Sequence, residues 1–321
     1  MAQPLTNTFT SFAAIGNRED LVDTIYNLSP TDFPFQSSVA KTKATAKLHE
    51  FQTDVLAAAA TNGVIEGYDI LNSGFSFQSV TATVRNTNRT QILWKDVQVA
   101  GSQDAVNKAG RKREIVYQLM KKNKELGRDF EFTLTGNYGI TTGNFSVPPM
   151  MRSLETWAGV TTTNNYSQGT SGAVSSSGAA KTDGTQRALT ESLLKSAIQG
   201  AWTNGGDIDL IMSGPFNKTV ISTFTGNNTR TQDTSDKKLI SAIDVYVSDF
   251  GTHKVVANRF SRDRTLHALM TDMFAIAYLR PKQTIDLAKT GDNERGAILL
   301  EATLESRNDS GSAWVFDLTT S

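Results

Sequence analysis

A single long helical pattern constrains the fold of this chain more than any other feature of its sequence. Between residues 102 and 132, six apolar side chains recur at steps of 4, 7, 3, 7 and 4 residues, which places them on one stripe of an α-helix: Ala105, Ala109, Val116, Leu119, Leu126 and Phe130. Such a helix would be about 45 Å long, which exceeds an ordinary domain helix. Ser102 is the predicted N-cap, and Asp104 lies in the first turn, near the positive end of the helix dipole.

The same stretch carries a local excess of positive charge. Residues 101–130 hold eight basic and four acidic side chains, whereas the whole chain balances 32 against 32. The basic face could contact the phosphates of a polyanion. Alternatively, it is a solvated helix face whose cations pair with acidic neighbours, and the lack of interleaved aromatic residues favours this second interpretation. Gly110 and Gly127 lie inside the predicted helix, so we expect it to bend at those points.

Composition excludes several classes of protein. A neutral chain of 321 residues with 38% hydrophobic content is typical of a soluble globular protein. The absence of cysteine excludes disulfides, a thiol nucleophile and cysteine-ligated metal sites. Residues 1–12 are polar and unlike a secretory signal peptide, and no apolar run approaches the roughly 20 residues that a membrane helix needs. We therefore expect a protein made in a cytoplasm, with no membrane partner.

The first hundred residues contain little that could form a core of its own. Residues 1–47 are predicted to be an extended arm, because they show little periodicity and contain a turn-rich segment around Pro30 and Pro34. Residues 48–100 are predicted to be an extended β excursion, with strands over 48–55, 75–85 and 90–99. Between the first two strands lies a small-residue segment, Ala57–Gly63, which has too few bulky side chains to bury.

The rest of the chain divides into three parts. Residues 161–186 are rich in Thr, Ser, Gly, Asn and Ala and are predicted to be a loop or linker. Residues 187–279 alternate helices with short apolar strands, which is typical of a compact α/β subdomain, and Thr190 is its first predicted N-cap. Beyond residue 280, two longer strands over 284–288 and 297–304 flank a polar turn, Thr290–Gly296.

Catalytic motifs are largely missing from the sequence. No Gly-Lys pair, dinucleotide-binding glycine triplet or Gly-x-Ser-x-Gly segment occurs. Asp207 and Asp209 are the remaining metal candidates, because two carboxylates on one strand face can bind a hard cation. Their more ordinary interpretation is a pair of acids flanking a turn, and His253 and His267 are interpreted as structural. The sequence predicts no cofactor and no enzymatic activity.

An arm, a long excursion and a very long helix leave a chain with too little of its own surface to bury. Such extensions are stabilised if they lie on neighbouring copies, as in a symmetric homo-oligomer. This combination of an arm, a long excursion and a very long helix therefore predicts an assembly protein.

Six segments, in order along nearly the whole chain, resemble the major head proteins of a group of tailed bacteriophages. They are Asn27–Phe35 (NLSPTDFPF), His49–Asp54 (HEFQTD), Ser213–Lys218 (SGPFNK), Val245–Gly251 (VYVSDFG), Tyr278–Pro281 (YLRP) and Asp286–Asp292 (DLAKTGD). The resemblance implies the α+β Hong Kong phage-type capsid fold. Its parts would be an N-terminal arm (1–47), an extended loop (48–100), a peripheral domain (101–186 and 280–321) with a spine helix (102–132), and an axial domain (187–279).

The resemblance also implies a function and partners. Hexamers and pentamers of this chain would form an icosahedral head around packaged double-stranded DNA, without sequence-specific binding, in the cytoplasm of a bacterial host. Scaffolding and portal proteins, and a decoration protein, would be further partners. We expect charged contacts between subunits near a three-fold junction at Lys289, Asp292, Glu294 and Arg295, although a solvent-exposed hairpin would explain these residues equally well.

Two other classes of protein stay open at this point. Abundant Thr, Ser and Asn would suit a secreted or surface β-rich adhesive or carbohydrate-binding protein, against which the lack of a signal peptide counts. A metal-dependent transferase using Asp207 and Asp209 is the third candidate.

Overall fold

A computed structural model of the chain describes residues 32–61, 63–67, 69, 80, 82–162, 164–224 and 245–320. The helices of this part are α1 (Pro34–Ser38), α2 (Gly101–Ala105), α3 (Glu114–Thr135), α4 (Glu191–Thr203) and α5 (Pro215–Ser222). Its strands are β1 (Ala40–Lys43), β2 (Leu48–Thr53), β3 (Val84–Arg89), β4 (Gln91–Ala100), β5 (Tyr166–Ser167), β6 (Leu210–Ser213), β7 (Val245–Ser248), β8 (Gly251–Ala257), β9 (Leu266–Leu269), β10 (Phe274–Leu287), β11 (Asn293–Ser306) and β12 (Ala313–Val315). The expected α+β class is confirmed.

A four-stranded sheet carries the long helix. Its strand order is β1-β10-β11-β4, with β1 parallel to β10 and the other pairs antiparallel. Helix α3 lies across β4 and β11, and it buries Leu126, Phe130 and Leu134 in the main core. Because these three side chains are spaced four residues apart, they lie on one face of the helix. The helix and the sheet are thus held together by apolar burial.

The prediction of one helix over 102–132 is wrong at its start. Residues 101–105 form the short helix α2, and α3 begins at Glu114. The residue preceding α2 is Ala100 and no side chain caps that helix, so Ser102 is not its N-cap. Gly110 lies between the two helices with φ +74°, a left-handed backbone conformation that interrupts helical hydrogen bonding. The bend expected at Gly110 is therefore a break.

Gly127 does lie inside α3, and its packing explains it. A Cβ atom built there would lie 2.9 Å from Cζ of Phe33 in the segment that leads into α1. Only glycine lets the ring approach the helix this closely. The position is used for contact between the N-terminal segment and α3.

A six-stranded sheet forms the second layer of the fold. Its order is β5-β12-β9-β6-β8-β7, and the central strand β6 faces two cores. Leu210 and Met212 of β6 join the main core with α3, whereas Ile211 joins a second core with α4 and α5. The alternation of strand side chains therefore connects the two halves of the molecule.

Several predicted elements are confirmed within one or two residues. Helix α4 follows the predicted N-cap Thr190, whose Oγ1 accepts a hydrogen bond from the backbone N–H of Leu193. Strands β2 and β4 also lie within two residues of the predicted strands 48–55 and 90–99. The arm prediction up to residue 31, and residues 75–79 and 81 of the predicted strand 75–85, lie outside the described residues. Residues 80, 82 and 83 are described and are not in a strand, so the strand begins later than predicted, at Val84.

The two sheets do not follow the predicted boundaries of the subdomains. Strands β5 and β12 belong to the six-stranded sheet, although they come from the parts of the chain expected to be peripheral. Strand β10 runs through the predicted boundary at residues 279 and 280 and pairs with β11 along most of its length. Each sheet is thus completed by chain segments distant in sequence.

Candidate assembly surfaces

A β-ribbon formed by β2 and β3 carries the predicted excursion, and its base is anchored in the core. The register runs from Leu48 opposite Arg89 to Thr53 opposite Val84. Asn88 is fully buried, and its side-chain amide donates to the carbonyls of Leu304 (2.6 Å) and Arg152 (3.1 Å). Its Oδ1 accepts a hydrogen bond of 2.7 Å from the backbone N–H of Arg152.

Side chains of β2 add two more contacts to this base. The ring of Phe51 packs against that of buried Trp157, with a centroid distance of 5.7 Å. His49 Nε2 lies 3.2 Å from Oε2 of Glu305 in β11. The base of the ribbon is therefore fixed in direction relative to the four-stranded sheet.

Beyond the ribbon, apolar side chains project into solvent. The described residues between Thr53 and Val84 form no helix or strand. Large apolar side chains there are strongly exposed, Leu56 and Val80 each to 93%. The others are Val55, Val64 and Ile65. Several large apolar side chains exposed along one segment are typical of a surface that another molecule covers.

The four predicted subunit-contact residues lie at the turn between β10 and β11, where α2 and the start of α3 also lie. Glu294 Oε2 is 2.8 Å from Arg113 Nη2, and its Oε1 is 3.6 Å from Lys289 Nζ. The carbonyl of Asp292 accepts a hydrogen bond of 3.2 Å from the backbone N–H of Gly101. Arg295 Nε is buried and has no hydrogen-bond partner among the described residues. The structure thus brings all four together, and their contact with another subunit stays a prediction.

Half of the basic side chains of residues 101–130 pair within the subunit. Lys108, Arg111, Arg113 and Lys122 contact acidic neighbours. Lys112, Lys121 and Lys124 are exposed, and they form no ion pair with a described residue. The prediction that these cations pair with acidic neighbours thus holds for half of them. The exposed lysines Lys112, Lys121 and Lys124 are left for contact with another molecule.

The two metal candidates, Asp207 and Asp209, lie in the connection between α4 and β6. Both carboxylate oxygens of Asp209 accept hydrogen bonds from Thr271, Oδ1 from its backbone N–H at 2.9 Å and Oδ2 from its hydroxyl. Within the described ranges, no group of three or more His, Asp or Glu side chains could hold a metal ion. Asp207 and Asp209 thus gain no support as ligands from their surroundings.

Sequence reasoning missed a buried ionic cluster around Asp317. This carboxylate is inaccessible to solvent, and it lies 2.9 Å from Nζ of equally buried Lys181 and 3.4 Å from Arg264. It also accepts the backbone N–H groups of Gly169 (3.0 Å) and Gly184 (2.9 Å). Burial alone would raise the pKa of Asp317, but these hydrogen bonds outweigh it and hold the pKa below its ordinary value. Segment 161–186 is therefore anchored to the C-terminal residues.

None of the helices in the described part of the chain combines the length and the hydropathy that crossing a bilayer requires.

The two histidines that the sequence predicted to be structural, His253 and His267, are buried. His253 Nδ1 lies 2.5 Å from the carbonyl oxygen of Ile208.

Comparisons with known proteins agree with this geometry. The family of the SU10 major capsid protein matches residues 4–319. The major capsid protein of Escherichia phage Phieco32 is 27% identical over 354 aligned positions, covering 98% of both chains. The solved capsid of cyanophage A-1(L) superposes with a TM-score of 0.66 at 13% identity, covering 97% of this chain and 99% of the other. The major capsid proteins of phage G, solved together with decoration proteins, superpose with a TM-score of 0.52 at 9% identity, covering 99% and 100%.

The solved structures confirm the Hong Kong phage-type capsid fold that the resemblance implied. The family match covers almost the whole chain and concerns a structural protein, not an enzyme. The chain therefore belongs to the SU10 major capsid protein family and is the major capsid protein of a tailed bacteriophage, a virion component that forms the icosahedral head.

Proposed function

We propose that this chain forms pentamers and hexamers in which the excursion beyond the β2–β3 ribbon lies on a neighbouring copy. The observation that carries this proposal is the exposure of Val55, Leu56, Val64, Ile65 and Val80 at the end of a ribbon whose base is fixed. Burying a large aliphatic side chain contributes about 1.5–3 kcal/mol. Five such side chains supply a substantial part of the energy of a contact that is repeated around a ring of subunits.

The division into four functional regions supports the same arrangement. In this proposal residues 1–47 form the arm and 48–100 the extended loop, and each contributes one strand, β1 and β4, to the four-stranded sheet. The rest of that sheet with α3 is the peripheral domain, and the six-stranded sheet with α4 and α5 is the axial domain. The assignment follows the two sheets, so that β5 and β12 count with the axial domain.

The turn between β10 and β11 is a second proposed contact between subunits. Lys289 is 66% exposed even though it lies near Glu294, so its ammonium group is accessible to a carboxylate of a neighbour. Asp292 is also exposed. A charged contact at this turn, near a three-fold junction, would complement the apolar contact of the excursion.

Double-stranded DNA is the proposed content of the shell, held without sequence-specific contacts. A chain with 32 basic and 32 acidic side chains has no excess charge to grip a polyanion. Within residues 101–130, exposed Lys112, Lys121 and Lys124 are available for weak phosphate contact. Scaffolding and portal proteins, and a decoration protein such as the one solved with the phage G capsid, are the further partners proposed.

Deletion of residues 56–74 tests the role of the excursion. We expect the shortened chain to retain the secondary structure and cooperative unfolding of the subunit, since its core lies elsewhere. Sedimentation and negative-stain microscopy should find no closed shells. A matched variant with a Gly-Ser segment of equal length in place of 56–74 separates loss of apolar side chains from shortening of the chain. Shells of normal size from both variants would refute the proposal.

A further inference from the structure

The loop that connects Thr141 to Met150 is built to hold an aromatic side chain in solvent. Thr141 and Met150 exchange two backbone hydrogen bonds of 3.1 and 3.2 Å, which close the base of the loop. Phe145, at the tip, is fully exposed, and Val147 beside it is 44% exposed. Phe145 and Val147 together give the tip of the loop an exposed apolar surface.

The tip itself is ordered by hydrogen bonds. The side-chain Oδ1 of Asn144 accepts the backbone N–H groups of Ser146 and Val147, each at 2.8 Å. The backbone N–H of Asn144 donates to the carbonyl of Val147 at 2.8 Å. Gly143 has φ +73°, and a Cβ there would lie 2.7 Å from the nitrogen of Pro149. Because the loop is ordered before binding, little conformational entropy is lost when Phe145 is buried.

A basic recess of about 410 Å³ lies between this loop and the base of the ribbon. Lys47, Arg89 and Thr90 line it from the ribbon, and Phe145 and Pro149 from the loop. Its lining includes two cations and no carboxylate. A complementary ligand would therefore be apolar and acidic.

The excursion has that composition. From Asp54 to Val84 the sequence holds three acidic residues and no basic one. Glu66 directly follows Val64 and Ile65, which are 70% and 77% exposed. Within one subunit the excursion leaves from the opposite end of the ribbon, about 20 Å from the recess for strands of six residues. Because the proposed function places the excursion on a neighbouring copy, the recess that it would meet is that of a second copy.

We propose that the recess beside Phe145 receives the excursion of a second copy of this chain, with Val64 and Ile65 packed on the ring and Glu66 facing Lys47 and Arg89. This inference rests on the proposed function and names the receiving surface for the excursion. Phe145 on its ordered loop provides the apolar anchor. Lys47 and Arg89 at the base of the ribbon provide the charge that selects one docking position.

Engineered disulfides test the contact directly, because the chain has no cysteine of its own. Val64→Cys combined with Thr142→Cys, which lies in the recess lining, should give covalent dimers and higher multimers under oxidation of assembled particles. Val64→Cys with Gln199→Cys, on the exposed side of α4, is the matched control and should give none. Linkage in the control pair only, or in neither pair, would overturn the proposal.

Charge reversal supplies an independent readout. Lys47→Glu and Glu66→Lys should each raise the protein concentration needed for assembly by roughly tenfold, and the double variant should return it toward the wild-type value. Lys112→Glu with Glu66→Lys is the control pair, in which no restoration is expected. Restoration by Lys112→Glu, or none by Lys47→Glu, would contradict the docking position.

These outcomes are distinguishable from failure of the proposed function. If deletion of 56–74 abolishes shells while the 64–142 pair stays unlinked, the excursion acts on another surface and this inference alone is wrong. If the deletion leaves shells intact, the proposed function fails as well. Circular dichroism of each variant separates misfolding from loss of assembly.

Discussion

Oδ1 of Asp104 accepts a hydrogen bond of 2.7 Å from the backbone N–H of Glu114, the first residue of α3. The first four N–H groups of a helix have no partner within the helix, so this bond satisfies one of them from ten residues upstream. The bond also lowers the pKa of Asp104, as do contacts with Arg113 and Lys108. Asp104 thus joins α2 to α3 across the break at Gly110.

Replacing Asp104 with alanine should lower the urea midpoint of unfolding, because α3 loses its capping acceptor. Ser102→Ala is the matched control, since the Ser102 side chain caps no helix. Equilibrium unfolding followed by circular dichroism measures both. A larger effect of Ser102→Ala than of Asp104→Ala would show that the helix is capped elsewhere.

Asp317→Asn should destabilise the subunit by about 3 kcal/mol, because buried Lys181 would lose its buried counter-charge at 2.9 Å and keep only its contact of 3.3 Å with the more exposed Asp183. Asp317 has φ +59°, and asparagine tolerates this left-handed conformation, so the substitution removes charge without adding backbone strain. Urea unfolding at pH 7 measures the loss. A change below about 0.5 kcal/mol, the range of ordinary surface substitutions, would mean that the cluster is not needed for stability.

The same carboxylate predicts a loss of stability in acid. Since the pKa of Asp317 is lower in the folded than in the unfolded chain, its contribution is complete above about pH 4 and is lost as pH falls through the folded value. Asp317→Asn should therefore lose less stability than the wild type between pH 4 and pH 2. Parallel curves for the two proteins would contradict this assignment.

His267 predicts a separate pH window. Burial, aided by the positive charge of Arg262, lowers its pKa to about 3. The unfolded chain binds this proton near pH 6.5 but the folded chain does not, so stability should fall below that pH, by at most about 1.4 kcal/mol per pH unit. Neither ring nitrogen has a hydrogen-bond partner among the described residues, so His267→Leu should be nearly neutral at pH 7.

Urea unfolding at pH 7, 6, 5 and 4 compares the wild type with His267→Leu. The difference in unfolding free energy between the two proteins should grow in favour of the variant as pH falls. An unchanged difference would mean that His267 already titrates with an ordinary pKa.

Polar substitutions in the excursion should separate assembly from folding. Leu56→Ser and Ile65→Ser remove side chains that are 93% and 77% exposed, so the unfolding free energy should change by less than about 0.5 kcal/mol. Shell yield, measured by sedimentation, should nevertheless fall. Phe130→Ala is the contrasting control, because its buried ring contributes about 3–5 kcal/mol to folding. Normal shell yield from the double serine variant would count against the excursion as a contact.

Local sequence patterns predicted a helix correctly where an N-cap residue is followed by a stripe of buried apolar side chains. Thr190 is followed by an apolar helical pattern, and α4 begins as predicted. The long helix was predicted too early because its first two apolar positions, Ala105 and Ala109, are small and are not buried. Small side chains at helical spacing do not indicate a buried helix face, whereas large apolar side chains such as Leu126 and Phe130 do.

Long-range contacts could not be predicted in the same way. Asp317 binds Lys181 and the N–H groups of Gly169 and Gly184 across more than a hundred residues, and no local pattern marks such a cluster. The composition of segment 161–186 indicated a loop but not its anchoring. The family assignment leaves the adhesive protein and the metal-dependent transferase without support, and Asp209 is explained by its bonds to Thr271.

A cryo-electron microscopy map of the assembled wild-type particle would show where the excursion lies. We expect Val55, Leu56, Val64 and Ile65 to be buried against a neighbouring copy in both pentamers and hexamers. A map in which these side chains face solvent in closed shells would contradict this expectation.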